Sequence, residues 1–299
     1  MKYRVKHLVE YAALRSVAFV MGGLPYRMAL ALGWVLAVAG FYGLRFRRAE
    51  AERRIRLVFG EKHDDAAVRR IASDSFRNLM FTSIDIIRSP GMTFMTFQKM
   101  ADCDFFDILK RQRESGRGAV IAIPHMGSWE LAGRAMQLLD MPVFSVAGKQ
   151  RNPLFDRYLN ETRERAGIPI TMRGAATLRT IIDRLGKGGM LAVLPDVRMP
   201  TEGVRARFLG GEVNAGPGMA MFARHSGVPI YPIVMRRAGW ARHVGHVFPA
   251  IEPDLSIDKH TDIQRMTQQV LAIVEAAIRD DPGQWFWYNK RWVLDPVGK

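Results

Sequence analysis

Ala119-Val120-Ile121-Ala122-Ile123-Pro124-His125-Met126-Gly127-Ser128-Trp129-Glu130 is the stretch that decides how this chain folds. Its first five residues form an unbroken apolar run entered from Gly116 and Gly118. A run without polar alternation suits a strand covered on both faces, the usual condition of a strand in a parallel sheet. Pro124 ends the run, and after a short turn the residues to about 139 read as helix. Strand, turn and helix in that order open an α/β unit.

Working outward, the alternation repeats. Residues 143–147 read as strand, 152–166 and 177–185 as helices, 190–194 as strand and 205–209 as a short strand. A helix over 217–225 precedes strands over 230–235 and 244–250, a long helix from about 260 to 279, and an aromatic tail. Upstream, Val68, Ile71, Phe76, Leu79, Ile84 and Ile87 predict a helix over 62–88, broken at Ser89-Pro90-Gly91, with a second helical stretch near 102–114. The pattern predicts an α/β fold with a mixed, partly parallel sheet flanked by helices. No repeat or Pro/Ser-rich linker divides it. The one shift in composition separates an N-terminal helical region, residues 1–48, from an α/β domain over 49–299.

That region points to a membrane. Residues 28–44 carry no charged side chain and lie between Arg27 and the basic run Arg45, Arg47 and Arg48, with Arg53, Arg54 and Arg56 close behind. As a straight helix they would extend roughly 25 Å, short of a bilayer core near 30 Å. The preceding apolar stretch, 16–26, is broken at Gly22-Gly23-Leu24-Pro25. The pair is expected either to dip into one leaflet as a hairpin held by arginines at anionic headgroups, or to span with its second helix. A buried core hairpin is the other reading. A removable signal peptide fits poorly, because arginines rather than small residues follow the longer apolar run.

The formal charge of +15 requires an anionic partner or a strongly basic surface. With 48% apolar residues, 16 phenylalanines and 6 tryptophans, the chain can bury a substantial core and is not of disordered composition. The single cysteine, Cys103, excludes an internal disulfide framework and a multi-thiolate zinc site.

His125 and Glu130 carry the chemistry. On a continuous helix, side chains five apart point roughly 140° away from each other. They can meet if His125 lies in a turn that Gly127 makes possible and Glu130 in the first turn of the following helix. The carboxylate is then expected to hold one imidazole nitrogen and leave the other to take a hydroxyl proton. Ser128 is a natural N-cap, and free N–H groups there could support a developing oxyanion. The motif falls past the carboxyl end of a strand, where open α/β sheets collect ligands.

Pro124 through Glu130 resembles the catalytic H-x4-D/E block of the lipid A biosynthesis lauroyl/myristoyl acyltransferase family, within the lysophospholipid acyltransferase superfamily. The likeness extends over nearly the whole chain. Arg54 through Phe59 and Ser75 through Leu79 look like the family's upstream segments. Asn152-Pro153-Leu154-Phe155 followed by Arg163 resembles its next block, and Leu194-Pro195-Asp196 its aspartate block. Phe208-Leu209-Gly210-Gly211 resembles the pocket loop, while 218–232 and 282–292 look like the last two blocks. Two departures stand out: Val197-Arg198 where the family usually has Gln after the aspartate, and Arg291-Trp292 where it has Arg-Phe.

The resemblance implies one-step transfer of an acyl chain from acyl carrier protein to a hydroxyl of a glycolipid or phospholipid, at the cytoplasmic face of a bacterial inner membrane. His125 would be the base, Glu130 its orienting carboxylate, and Arg163 a phosphate or oxyanion ligand. Asp196 would organise the acceptor site, with Ser128, Asn152, Gly210 and Arg291 as further substrate contacts. No cofactor, metal or nucleic acid is implied. The rival acceptors are lysophosphatidic acid and a phosphatidylinositol mannoside.

Simpler roles compete at several positions. Arg163 could be surface charge, Asp196 a turn cap, and Cys103 a small buried residue. His243 and His246 read as strand residues rather than metal ligands. Trp285, Trp287, Tyr288 and Trp292 read as core packing with a basic rim at Lys290 and Arg291. A non-catalytic basic protein binding membranes or nucleic acid is the reading from another class, though no nucleic-acid motif stands out. A serine hydrolase would need a G-x-S-x-G elbow, which the chain lacks.

Overall fold

The computed structural model describes residues 3–148, 150–172 and 177–295. Four helices come first: α1 (Val5–Gly23), α2 (Tyr26–Val38), α3 (Arg48–Phe59) and α4 (Asp65–Arg88). Then follow α5 (Phe94–Met100), β1 (Ala101–Cys103), α6 (Phe105–Glu114), β2 (Ala119–Ala122), α7 (Trp129–Leu138), β3 (Val143–Ala147), α8 (Pro153–Arg165) and β4 (Ile170–Met172). The chain continues through α9 (Thr177–Gly186), β5 (Met190–Val193), β6 (Val204–Phe208), β7 (Gly211–Ala215) and α10 (Gly218–Ser226). It ends with β8 (Ile230–Arg237), β9 (His243–Val247) and α11 (Lys259–Asp280).

Seven strands form one sheet in the order β1-β9-β8-β2-β5-β3-β4, parallel except where β9 runs against β8. This is the expected mixed, largely parallel α/β fold. The connections set which face each helix covers. From β2 the chain moves through α7 to β3 and through α8 to β4, then reverses through α9 to β5. Parallel crossovers are right-handed, so the reversal sends α9 to the opposite face. Accordingly Ile121, Ile123 and Val143 pack with Ala132 and Met136 of α7, whereas Val120, Phe144 and Leu191 pack with Ile181 of α9 and Met219 of α10.

Three strands went unseen in the sequence. β1 and β4 have three residues each, too few to show a period. β7 pairs with β6 as a separate hairpin, turning through Leu209 (φ 54°) and Gly210 (φ 81°). The helix expected near 102–114 begins at Phe105 because residues 101–103 are taken by β1.

At the N-terminus, α2 lies against α4 and continues as a π-helical turn, Ala39–Gly43. Tyr26–Gly43 is, among the described residues, the one helical stretch long and apolar enough to cross a membrane. Both α1 and α2 expose large apolar side chains, Val9 at 63% and Phe19 at 85% among them. Gly33 lets α2 approach α4 closely: a Cβ there would stand 2.5 Å from Ile84 Cδ1. The arginines that follow are not all free for headgroups. Arg54 is buried, donates to the carbonyls of Trp287 and Asn289 at 2.7 and 2.8 Å, and stacks its guanidinium over Trp292. Trp285, Trp287, Tyr288 and Trp292 are all buried, so the aromatic tail is core.

Candidate active site

β2 and β5 are parallel neighbours with Ala122 opposite Val193, and the Ile123 N–H donates to the Val193 carbonyl at 2.9 Å. Three residues beyond each of those paired positions stand His125 and Asp196. The register therefore brings them side by side. Asp196 Oδ1 lies 2.8 Å from His125 Nδ1, and Asp196 Oδ2 accepts from the His125 backbone N–H at 2.8 Å and from the Trp285 indole N–H at 2.7 Å. Burial alone would raise the pKa of this carboxyl. The adjacent His125, with the hydrogen bonds from its ring and from Trp285, outweighs burial and holds the group below the ordinary carboxylate range.

This corrects the expected pairing. The carboxylate on the imidazole is that of Asp196, and Glu130 has another partner. Glu130 sits in the first turn of α7 and faces Arg163 in the last turn of α8, whose Nε lies 3.2 and 3.1 Å from its two oxygens and whose Nη2 also bonds Oε1. Burial would lower the Arg163 pKa, but Glu130 raises it, so the guanidinium is firmly charged. Asp196 is thus a partner of the histidine, where the sequence had suggested an organiser of the acceptor site.

The turn between β2 and α7 is fixed from several sides. Gly127 has φ 55°, and its carbonyl accepts from Thr82 Oγ1 at 2.8 Å while its N–H donates to the Gln284 carbonyl at 3.0 Å. The Phe286 N–H donates to the His125 carbonyl at 2.9 Å. Ser128 occupies the N-cap position of α7 without capping it: its fully buried hydroxyl donates to Asp85 at 2.7 Å. Asp85 also receives the Tyr26 hydroxyl at 2.8 Å and forms a buried ion pair with Arg237. Asp85 was not singled out in the sequence and Trp285 was read only as core packing, because each lies far along the chain from the motif it supports.

His125, Trp129, Glu130, Arg163 and Arg291 line one cavity of about 530 Å³, whose remaining walls are mostly apolar. Asn152, Gly210 and Ser128 are not among its described lining residues. Asn152 caps α8 and donates to the His7 carbonyl and to Glu10 of α1, while Gly210 makes the β6–β7 turn. Among the described residues no group of three or more metal-binding side chains converges. Chemically, an imidazole anchored at Nδ1 by a carboxylate leaves Nε2 as the nitrogen that can take a proton from a bound alcohol.

A family model described as bacterial lipid A biosynthesis acyltransferase matches residues 1–293, so the chain belongs to that family. It is 26% identical over 279 residues to the lipid A biosynthesis palmitoleoyltransferase of Escherichia coli K12, covering 92% of this chain and 88% of that one. It is 24% identical over 216 residues to the phosphatidylinositol mannoside acyltransferase of Mycolicibacterium smegmatis, covering 71% and 68% respectively.

Proposed function

We propose that this protein is an O-acyltransferase that moves a fatty acyl chain from an acyl-carrier-protein thioester to a hydroxyl of a lipid A precursor or a similar glycolipid. One observation carries the reading: in a chain of this family, the Asp196-anchored imidazole of His125 faces a largely apolar cavity. Asp196 holds the Nδ1–H tautomer, and Nε2 accepts the proton of the acceptor hydroxyl as its oxygen attacks the thioester carbonyl. The tetrahedral intermediate collapses, the C–S bond breaks, and the departing thiolate takes the proton back from the imidazolium. The thioester is already activated, so no acyl-enzyme is required. Cys103 is a poor nucleophile in any case, its thiol pushed up to about 12 by burial.

Arg163, held by Glu130, supplies a fixed positive charge to a substrate phosphate or to the oxyanion. Arg291 serves the acceptor at the cavity wall. Residues 1–48 form the membrane-attachment region, with the apolar outer faces of α1 and α2 in the interface of the cytoplasmic leaflet, and residues 49–299 form the catalytic domain.

The mycobacterial relative favours a second acceptor, a phosphatidylinositol mannoside. The test is to incubate purified protein with acyl-carrier-protein and coenzyme A thioesters and three acceptors: a lipid A precursor, lysophosphatidic acid and a phosphatidylinositol mannoside. Product masses increased by one acyl group on the glycolipid precursor, from the carrier-protein donor, are expected. Failure of every donor–acceptor pair would contradict the reading.

A further inference from the structure

The cavity reaches both faces of the sheet. Side chains alternate along β3 and β5, so the walls fall into two sets that meet where His125 stands past the end of β2. Along α7 the cavity is walled by Ile123, Met136 and Val143; on the other face it is walled by Ile181, Leu191 and Met219. The aliphatic walls of the α7 branch, Ile123, Met136, Val143 and Ile168, are buried, and from half-buried Trp129 to Met136 the branch extends about 10 Å along the helix axis. The opposite branch opens past half-buried Met221 and Phe222 and is suited to a bulky lipid.

Gly133 sits midway between Trp129 and Met136, along the α7 branch. Glycine in a helix interior is unfavourable relative to alanine, so its presence calls for a spatial reason. A Cβ at this position would stand 3.0 Å from Ile168 Cδ1, which with Gly133 lines the branch. Any larger residue would occupy the bore or push Ile168 across it.

We propose that the α7 branch holds the acyl chain of the donor and that Gly133, facing Ile168, sets the length of chain it admits. The inference rests on the acyl-transfer reading above, and its mechanism is steric. Each methylene kept out of an apolar channel costs about fourfold in affinity, so closing the lower half of the branch penalises long donors selectively.

The experiment gives the protein an equimolar mixture of 12-, 14- and 16-carbon acyl-carrier-protein thioesters with a lipid A precursor as acceptor, and reads product ratios by mass. Gly133→Val is expected to lower the 16:12 ratio at least about tenfold relative to wild type. Gly133→Ala, which favours the helix and so preserves the fold, should lower it less, and Ile168→Ala should raise it. Met221→Phe, on the opposite face, should leave the ratio unmoved while weakening use of the acceptor. Unchanged ratios in Gly133→Ala, Gly133→Val and Ile168→Ala, with wild type active, would overturn the assignment, as would a ratio shifted by Met221→Phe alone. A wild-type protein that consumes no thioester would instead overturn acyl transfer itself.

Discussion

Asp196 and His125 are bound so that exchanging one atom reverses the chemistry. The carboxylate accepts three hydrogens, two of them from N–H groups that can only donate. In Asp196→Asn the amide oxygen must take the place of Oδ2 to serve those two donors. The NH2 group then faces Nδ1 and forces the ring proton onto Nε2, the nitrogen proposed as base. The variant should fold normally and lose roughly 10²-fold or more in kcat, measured with the preferred thioester and acceptor. Of the site, His125 and Glu130 stood out by their own spacing, and Arg163 and Asp196 through the family resemblance, but the pairing among the four did not. Spacing along the chain favoured His125 with Glu130, whereas the true partner of the imidazole lies 71 positions away and is reached only through strand register. The apolar runs that stop at Pro124 and Pro195 carried that signal, since His125 and Asp196 each follow directly.

The turn joining β2 to α7 is the element on which the site depends. A Cβ on Gly127 would lie 1.8 Å from the Met235 carbonyl oxygen, and the positive φ adds strain for any other residue. Gly127→Ala should therefore lower the thermal midpoint by more than about 5 °C, read by near-UV circular dichroism or differential scanning fluorimetry. A midpoint within a degree of wild type would mean that the turn relaxes freely. At this scale the sequence was most informative where elements were long or fully buried: β2, α4, α10 and α11 lie within a few residues of where periodicity put them. It was least informative for β1, β4 and β7, which acquire strand geometry from neighbours rather than from their own residues.

Across the whole molecule, one buried polar cluster joins the N-terminal helices to the sheet. Asp85 of α4 binds Arg237 at the end of β8, the Tyr26 hydroxyl of α2 and Ser128 before α7, while Arg237 Nη1 lies 3.4 Å from His243 Nε2 of β9. An arginine can only donate, so His243 must be neutral with a free lone pair on Nε2. Burial, and to a lesser degree Arg237, outweigh Asp85 and lower its pKa to about 4 from an ordinary 6.5. Because the folded value lies below the unfolded one, the unfolded chain binds the proton first as pH falls. The stability from this residue is complete above about pH 6.5 and is lost by about pH 4, a total on the order of 3 kcal/mol. Denaturation midpoints measured across that window should fall for wild type and fall less for His243→Gln, whose amide oxygen can accept from Arg237. Equal slopes would show that the histidine is not held neutral. The Asp85 cluster, through Ser128, and the aromatic tail, through Trp285 and Phe286, both hold the segment that carries His125 and its partner Asp196. The most direct measurement is therefore the single-turnover rate of acyl transfer by His125→Ala against wild type, with folding of both confirmed by their thermal midpoints. A fall of at least about 10²-fold at unchanged midpoint is predicted, and a variant that transfers within a few-fold of wild type would contradict the account.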